Sequence, residues 1–336
     1  MFNKIYEKIK TFIVENYKSL LLIIAVVLLF QIELPYIIYK PGGSINLNDR
    51  VLIEDKYETK GSLEMAYVSV VKGSVPFLLM AKILPDWDIA SKDDITSADE
   101  SIKDVLEKDK IYLNEAIDNA TIVAYNLAGK EIAIDKVINN VMYITEEANT
   151  TLKVYDQIIE VEETVIKSLD DLKNVVNTFE ENDIINIKVI RNKKKVNATA
   201  KVYNTTDGLK IGVSLVNTYE LTTNPQIEVK TKSSESGPSG GLMTALSIYN
   251  ALVEEDITRG KKIIGTGTID KNGTVGEIGG VKYKLMGAVK KKADVFLCPE
   301  KNYEEAIKIA KEKDYDIEIV SVKTINDAIN YLTGKN

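Results

Sequence analysis

A serine sits in the stretch Glu235 to Gly241, ESGPSGG, which runs directly into the segment LMTALSIYNALV. Leu242, Ala245, Leu246, Tyr249 and Leu252 recur at helical spacing, so a helix starts at or just after Ser239. The start of a helix offers unpaired backbone amides and a partial positive charge, which are the features that stabilise an oxyanion. Gly240 and Gly241 carry no β-carbon and would let another chain come close, while Pro238 stiffens the turn that presents the hydroxyl. Two readings fit these residues alone: an ordinary serine N-cap, or a nucleophile.

Composition restricts the base that such a nucleophile could use. The 336 residues contain no histidine and a single cysteine, Cys298. A Ser-His-Asp triad, a Cys-His pair, a histidine-ligated zinc, a CxxC motif and an intramolecular disulfide are all excluded. Cys298 closes the apolar run Val295-Phe296-Leu297 and reads as a core residue. Without histidine, a serine hydroxyl needs a lysine held neutral by burial. Residues 263–284, IIGTGTIDKNGTVGEIGGVKYK, offer one: Lys282 follows Gly279-Gly280 and has the apolar Val281 and Leu285 beside it.

The segments GPSGG and GGVKYK, with Ser239 and Lys282 lying 43 positions apart, resemble the proteolytic domain of the Lon proteases. That family carries Gly-Pro-Ser-Ala-Gly and Gly-Gly-Leu-Lys-Glu-Lys at matching separation. The resemblance runs from about Gly208 to the C-terminus and takes in ADVFLCPEKN, an apolar strand ending in a proline and an asparagine. It implies Ser239 as nucleophile and Lys282 as the general base that returns the proton to the leaving amine. Thr266 would support the lysine by a hydrogen bond, and Gly240 takes the place of the family's alanine. Lys284 matches the second lysine of its segment and receives no catalytic part. Ser236 stands where ATP-dependent members carry an acidic residue. Lon-type domains assemble as rings, so the resemblance also permits a homo-oligomer.

Other segments must position and deliver this chemistry. Leu20 to Phe30 is an unbroken apolar run preceded by Lys4, Lys8, Lys10 and Lys18. Its continuation through QIELPYIIY, and the lack of small residues at alternate positions, favour an uncleaved anchor over Leu20 to Ile38 rather than a signal peptide or a core helix. The lysine-bearing end stays in the cytoplasm and the rest lies outside. Leu63–Val71 and Phe77–Ile83 read as strands, and residues 101–128 as a helix. Residues 137–203 alternate strands with a helix announced by Ser168 and Asp171. With LKVYDQIIEVEETVIKSLDDLKNVV at its centre, this order resembles a PDZ domain, Tyr155 replacing a glycine and Glu162-Glu163 the usual turn. By that resemblance Val137, Ile138, Asn139 and Asn140 would form the peptide carboxylate loop, although they include no glycine. A small packing domain that binds nothing is the alternative. Most of the 19 glycines lie beyond residue 207, which sets a boundary at the turn NTTDG, Asn204 to Gly208.

The expected fold is therefore α+β and multidomain. It comprises a cytoplasmic N-terminus (1–19), a transmembrane anchor (20–38), a β-rich and helical segment (39–130) packed with the protease domain, a PDZ-like domain (131–204) and a Lon-type α/β proteolytic domain (205–336). No GxxxxGK[ST] phosphate loop occurs, and the net charge of -7 argues against nucleic acid. No cofactor, nucleotide or metal is expected. The whole arrangement, including the YKPGG at Tyr39 to Gly43, resembles the membrane-anchored, ATP-independent Lon-like proteases of bacteria. Without an unfoldase, such an enzyme should cut exposed or flexible peptide and protein substrates. A membrane-tethered PDZ-type peptide-binding protein whose protease domain is only a scaffold, and a Ser-Lys hydrolase acting on other bonds, are the competing readings.

Overall fold

The computed structural model describes residues 2–94, 102–206 and 208–335. Part of the strand-rich stretch 44–100, the first residue of the helix expected over 101–128 and Asp207 of the NTTDG turn lie outside the described residues. Helix α1 (Phe2–Gln31) is exposed along its length, and Lys4–Gln31 is long and apolar enough to cross a membrane. It ends earlier than Ile38, because Pro35 disfavours helix in the residue before it. Ile37 and Ile38 are instead buried in strand β1 (Tyr36–Asn46). After β2 (Val51–Ile53) and β3 (Ser62–Lys72) comes α2 (Val75–Ile83), where Phe77–Ile83 was expected to be extended. Pro76 falls in the first turn, where its missing N–H leaves no helix bond unmade, and the Leu-Leu-Met-Ala-Lys run favours helix. Strand β4 (Asp88–Ser91) and helix α3 (Ile102–Leu127) complete this segment.

The next unit is an antiparallel sheet with one short helix. It contains β5 (Glu131–Ile144), β6 (Gln157–Val161), β7 (Thr164–Val165), α4 (Leu169–Val176), β8 (Ile184–Arg191), β9 (Lys194–Lys201), β10 (Tyr203–Thr205), β11 (Gly208–Lys210) and β12 (Val213–Asn224). The sheet order is β12-β5-β6-β8-β9, with β7 folded back on β6. Ile185, Ile187 and Val189 alternate inward and pack with Leu172 and Val176 of α4, whose N-cap Ser168 accepts from the Asp171 amide at 3.1 Å. Glu162-Glu163 and Asn192-Lys193 are two-residue hairpin turns with positive φ at every position, and Tyr155 also adopts positive φ. The unit does not stop at the NTTDG segment, where Asn204 pairs with Leu209 and Thr205 with Gly208 between β10 and β11. Strand β12 pairs with β5 from Val213↔Ile144 to Asn224↔Glu131, so the sheet runs on to Asn224.

The remaining elements are β13 (Ile227–Val229), α5 (Gly241–Leu252), β14 (Lys262–Gly265), β15 (Thr268–Ile269), β16 (Val275–Gly276), α6 (Val281–Lys290), β17 (Val295–Pro299), α7 (Glu300–Glu312), β18 (Glu318–Val322) and α8 (Ile325–Thr333). They do not form a sheet by themselves. The central sheet has the order β18-β17-β14-β3-β1-β4, so three of its strands come from the segment before residue 92. β3, β14, β17 and β18 run parallel, while β1 and β4 add antiparallel at one edge. Helix α5 is buried on nearly every side, against the sheet residue Leu63 and against Ala120, Val123 and Ala124 of α3.

Helix α3 also reaches the other sheet: Asp118 accepts the Tyr219 amide of β12 at 2.7 Å. Burial, with the charge of Asp118 adding to it, pushes the Glu115 carboxyl up to about 7. Burial likewise pushes Asp118 up to about 6, against the Tyr219 hydrogen bond. The folded chain thus keeps protons that the unfolded chain releases, and the stability they confer is full below about pH 4 and lost as the pH rises through 7. Glu115→Gln should gain stability over the parent protein at pH 8 and much less at pH 5, measured as thermal midpoints in detergent. An equal difference at both pH values would contradict this.

Candidate active site

Ser239 lies two residues before α5, in a turn where the Gly241 amide donates to the Pro238 carbonyl at 3.1 Å. Its own carbonyl is held twice: the Gly267 amide donates to it at 2.8 Å and the Thr266 hydroxyl at 3.0 Å. Upstream, the Gly237 amide donates to the Asp109 carbonyl of α3 at 2.9 Å. Glu235, beside Ser236, is bound by Arg50 at 3.1 Å and by the Lys232 amide at 3.0 Å. Ser236 itself is exposed, and nothing in the structure gives it a role. The loop is therefore pinned from β14, α3 and the residues around β2, while Ser239 stays partly accessible.

The two glycines after Ser239 serve the protein's own packing. A β-carbon on Gly240 would lie 2.7 Å from the Met65 sulfur, and one on Gly241 would lie 2.9 Å from Ile269 Cγ2 and 3.1 Å from its backbone nitrogen. The expectation that they make room for a second chain is replaced by close approach of β3 and β15. The helix start also has fewer open donors than a bare N-terminus. The Leu242 amide is taken by Gly267 O at 3.0 Å, and among the described residues the amides of Ser239 and Gly240 donate to no acceptor.

The structure separates the two lysines of GGVKYK. Helix α6 begins after Gly280, whose left-handed conformation (φ 70°, ψ 35°) suits glycine. From that start, Val281, Lys284, Leu285 and Ala288 share the buried face, and Lys282 points elsewhere. Lys282 Nζ bonds Asp88 Oδ2 at 2.6 Å and lies 4.0 Å from Asp86. Burial raises the Asp88 carboxyl, but the hydrogen bonds from Lys282 and from the Tyr283 hydroxyl outweigh it and hold that carboxyl below its ordinary value. Lys282 is thus ion-paired and partly exposed, whereas the sequence argument calls for a lysine set apart by burial.

Lys284 does meet it. Only 4% of Lys284 is exposed, and burial alone brings its ammonium down from the ordinary 10.5 to about 8. Among the described residues no carboxylate pairs with it. Thr266 is fully buried, its hydroxyl proton goes to the Ser239 carbonyl, and among the described residues no lysine donates to its oxygen. A further group escaped the sequence reading: Asn302 of α7 accepts from the Ile278 amide and donates to the Ile278 carbonyl, both at 3.0 Å. This clamp fixes the chain immediately before Gly279-Gly280. Cys298 is buried in β17, and burial pushes its thiol up to about 12, as suits an inert core residue.

Val137 to Asn140 form no loop. They are interior residues of β5, paired from Val137↔Tyr219 to Asn140↔Val216 with β12, and Asn139 and Asn140 also pair with β6. The Asn139 amide group donates to the Ile166 carbonyl at 3.0 Å and that of Asn140 to the Val216 carbonyl at 3.2 Å. Their backbone is committed to the sheet, so the peptide-carboxylate role expected for them does not hold.

Residues 225–334 match the Lon protease (S16) C-terminal proteolytic domain. The C-terminal third is a Lon-type proteolytic domain. Residues 124–202 match the PDZ domain. The chain is 35% identical over 98 residues to the Lon protease of Campylobacter jejuni, a match covering 29% of this chain and 12% of that protein. It is 36% identical over 103 residues to the Lon protease of Campylobacter concisus, covering 30% of this chain and again 12% of the relative. This chain thus spans about an eighth of the length of these relatives. A solved PDZ domain of the SdrC-like protein from Listeria monocytogenes aligns over 26% of this chain and 93% of that one, at 22% identity and a TM-score of 0.22. The Lon match begins at residue 225, immediately after β12, and leaves β1, β3 and β4 outside it although they share its sheet.

The two glycines of the Ser239 loop should respond differently to a methyl group. Gly240→Ala meets only a movable thioether and should fold with a thermal midpoint close to the parent's. Gly241→Ala meets backbone and should lose about 1–3 kcal/mol. Equal midpoints for the two variants would refute this account of the loop.

Proposed function

We propose that this chain is a serine endopeptidase in which Ser239 is the nucleophile and Lys284, rather than Lys282, is the general base. The observation that carries this reading is the burial of Lys284 with no counter-charge among the described residues, one turn into α6 of a Lon-type proteolytic domain. With its pKa at about 8, roughly a tenth of Lys284 is neutral at pH 7. The neutral amine takes the Ser239 proton as Oγ attacks the peptide carbonyl. The amides of Ser239 and Gly240, which donate to no acceptor among the described residues, are the donors offered to the developing oxyanion. Lys284 then gives its proton to the departing amine, and water, activated by the same amine, releases the acyl group.

The anchor, the topology and the energy source belong to the same proposal. Helix α1 supports a single membrane span, and the lysines at its start favour a cytoplasmic N-terminus with the catalytic portion outside. The 336 residues carry no phosphate-binding loop, which supports cleavage without ATP of segments already exposed or flexible. The PDZ domain and the proteolytic domain both favour a peptide or protein substrate.

Hydrolysis of an unstructured peptide by the full chain in detergent tests the assignment. Ser239→Ala and Lys284→Ala should each lower kcat/KM by on the order of 10³-fold or more, and Lys282→Ala should leave it within a few-fold. Peptide capture with no turnover by the parent protein would favour the tethered-binder reading. Loss of activity in Lys282→Ala with retention in Lys284→Ala would overturn the base assignment.

Two further outcomes follow from the burial. The parent's kcat/KM should rise with pH to a plateau with an apparent pKa near 8, as Lys284 loses its proton. Because its folded pKa is depressed, the cost of charging Lys284 is full below pH 8 and vanishes by about pH 10.5. Lys284→Met should therefore be inactive yet more stable than the parent by about 2 kcal/mol at neutral pH, with the gain shrinking at alkaline pH. A variant that is both inactive and unstable at pH 7 would not fit.

A further inference from the structure

We propose that α2 is a second membrane contact: a short apolar helix that lies in the bilayer interface beside the exit of α1 and holds the catalytic body against the lipid surface. The proposal rests on the reading of α1 as a membrane span. From Met65 to Pro85 the sequence contains no acidic residue, and its two charges are Lys72 and Lys82. Within that stretch α2 buries Ala81 and partly buries Val75 to Leu78. Leu79, Met80 and Ile83 share the opposite face and are left bare, with Leu79 58% and Ile83 80% exposed. Leu84, the residue after α2, and Ile89 of the neighbouring β4 are exposed as well. An apolar patch of this kind needs a partner in water.

The connection to α1 names that partner. The Leu34 amide donates to the Gly73 carbonyl and the Gly73 amide to the Tyr36 carbonyl, both at 2.8 Å. A β-carbon on Gly73 would stand 2.7 Å from the Tyr36 oxygen, so this closeness requires glycine. Phe30, at the end of α1, meets Phe77 of α2 edge to face, with ring centres 5.2 Å apart. The start of α2 is therefore fixed within one helix turn of the point where α1 leaves the bilayer, and α2 is only roughly 14 Å long. No part of it can stand far from the headgroups while α1 spans.

The local charges agree with a lipid surface. Glu33 is neutralised by Lys72 at 2.5 Å and Lys92 at 4.0 Å, and Asp86 and Asp88 by Lys313 and Lys282. Lys82 can extend its stem along the apolar face toward lipid phosphates, and Tyr36 is exposed at the level where aromatic side chains favour the interface. A helix bare on one face, flanked by lysine and carrying no carboxylate, has the character of an interfacial helix rather than a spanning one.

Spin labels in the full-length protein test this without removing the native cysteine, since Cys298 is fully buried. Single cysteines replacing Leu79, Ile83, Val26 in α1 and Lys301 on α7 are labelled, and the protein is placed in vesicles of phosphatidylcholine and phosphatidylglycerol. Collision rates with oxygen, which partitions into lipid, and with a water-soluble nickel chelate then report depth. The expected result is an oxygen-to-nickel ratio several-fold higher at positions 26, 79 and 83 than at 301. Nickel access at 79 and 83 with position 26 shielded would overturn the interfacial helix and leave the anchor standing. Nickel access at position 26 as well would overturn the anchor and the proposal together. Shielding at 79 and 83 with spin–spin broadening that disappears on dilution with unlabelled protein would assign the face to a second copy and overturn the lipid assignment.

Discussion

Lys284 is an ammonium kept from water with no carboxylate paired to it among the described residues, and the apolar face of α6 is built around it. Bringing Lys284 from 10.5 to about 8 corresponds to about 3 kcal/mol, a large share of the stability of a typical domain. That cost is borne by the apolar face of α6, where Val281, Leu285 and Ala288 pack into the cluster with Ala66, Phe296 and Cys298. The Asn302 clamp and the left-handed Gly280 set where α6 begins, and so which lysine turns inward. A two-residue shift of the helix start, about 200° of rotation, would put Lys282 on the face that Lys284 occupies.

The support for that face comes from distant sequence. Strands β1, β3 and β4 join β14, β17 and β18 in one sheet, and Met65 and Ala66 on β3 lean toward the serine loop and α6 respectively. Between the two halves of this sheet the chain inserts α3 and the PDZ sheet, then returns along β12. Helix α3 touches both units: its Asp109 carbonyl holds Gly237 of the serine loop, and its Asp118 holds Tyr219 of β12.

Local patterns in the sequence were readable wherever a local rule decides the structure. The α5 periodicity after Ser239, the Ser168 cap, the Ile185-Ile187-Val189 alternation and the long helix after residue 101 all agree with the fold. What was not readable depends on phase or on remote pairing. Lys282 was chosen by its neighbours in sequence, although the spacing of Val281, Leu285 and Ala288 already places Lys284 on the apolar face. Phe77–Ile83 looked extended because an apolar run has no period to separate a short helix from a strand. Val137 to Asn140 looked like a loop start, since nothing in them announces partners as far away as Val216 and Tyr219. Ile37 and Ile38 were assigned to lipid by hydropathy, while pairing with Lys72 and Val71 places them in a sheet.

Titration of Lys284 tests its proposed part as the base without reference to any substrate. Full-length protein carrying nitrogen-labelled lysine can be followed by nuclear magnetic resonance in detergent from pH 6 to 11, with Lys284→Met and Lys282→Ala used to assign the two signals. The expected result is a midpoint near 8 for Lys284. A midpoint near the ordinary 10.5 for Lys284, or a lower midpoint for Lys282, would contradict the account.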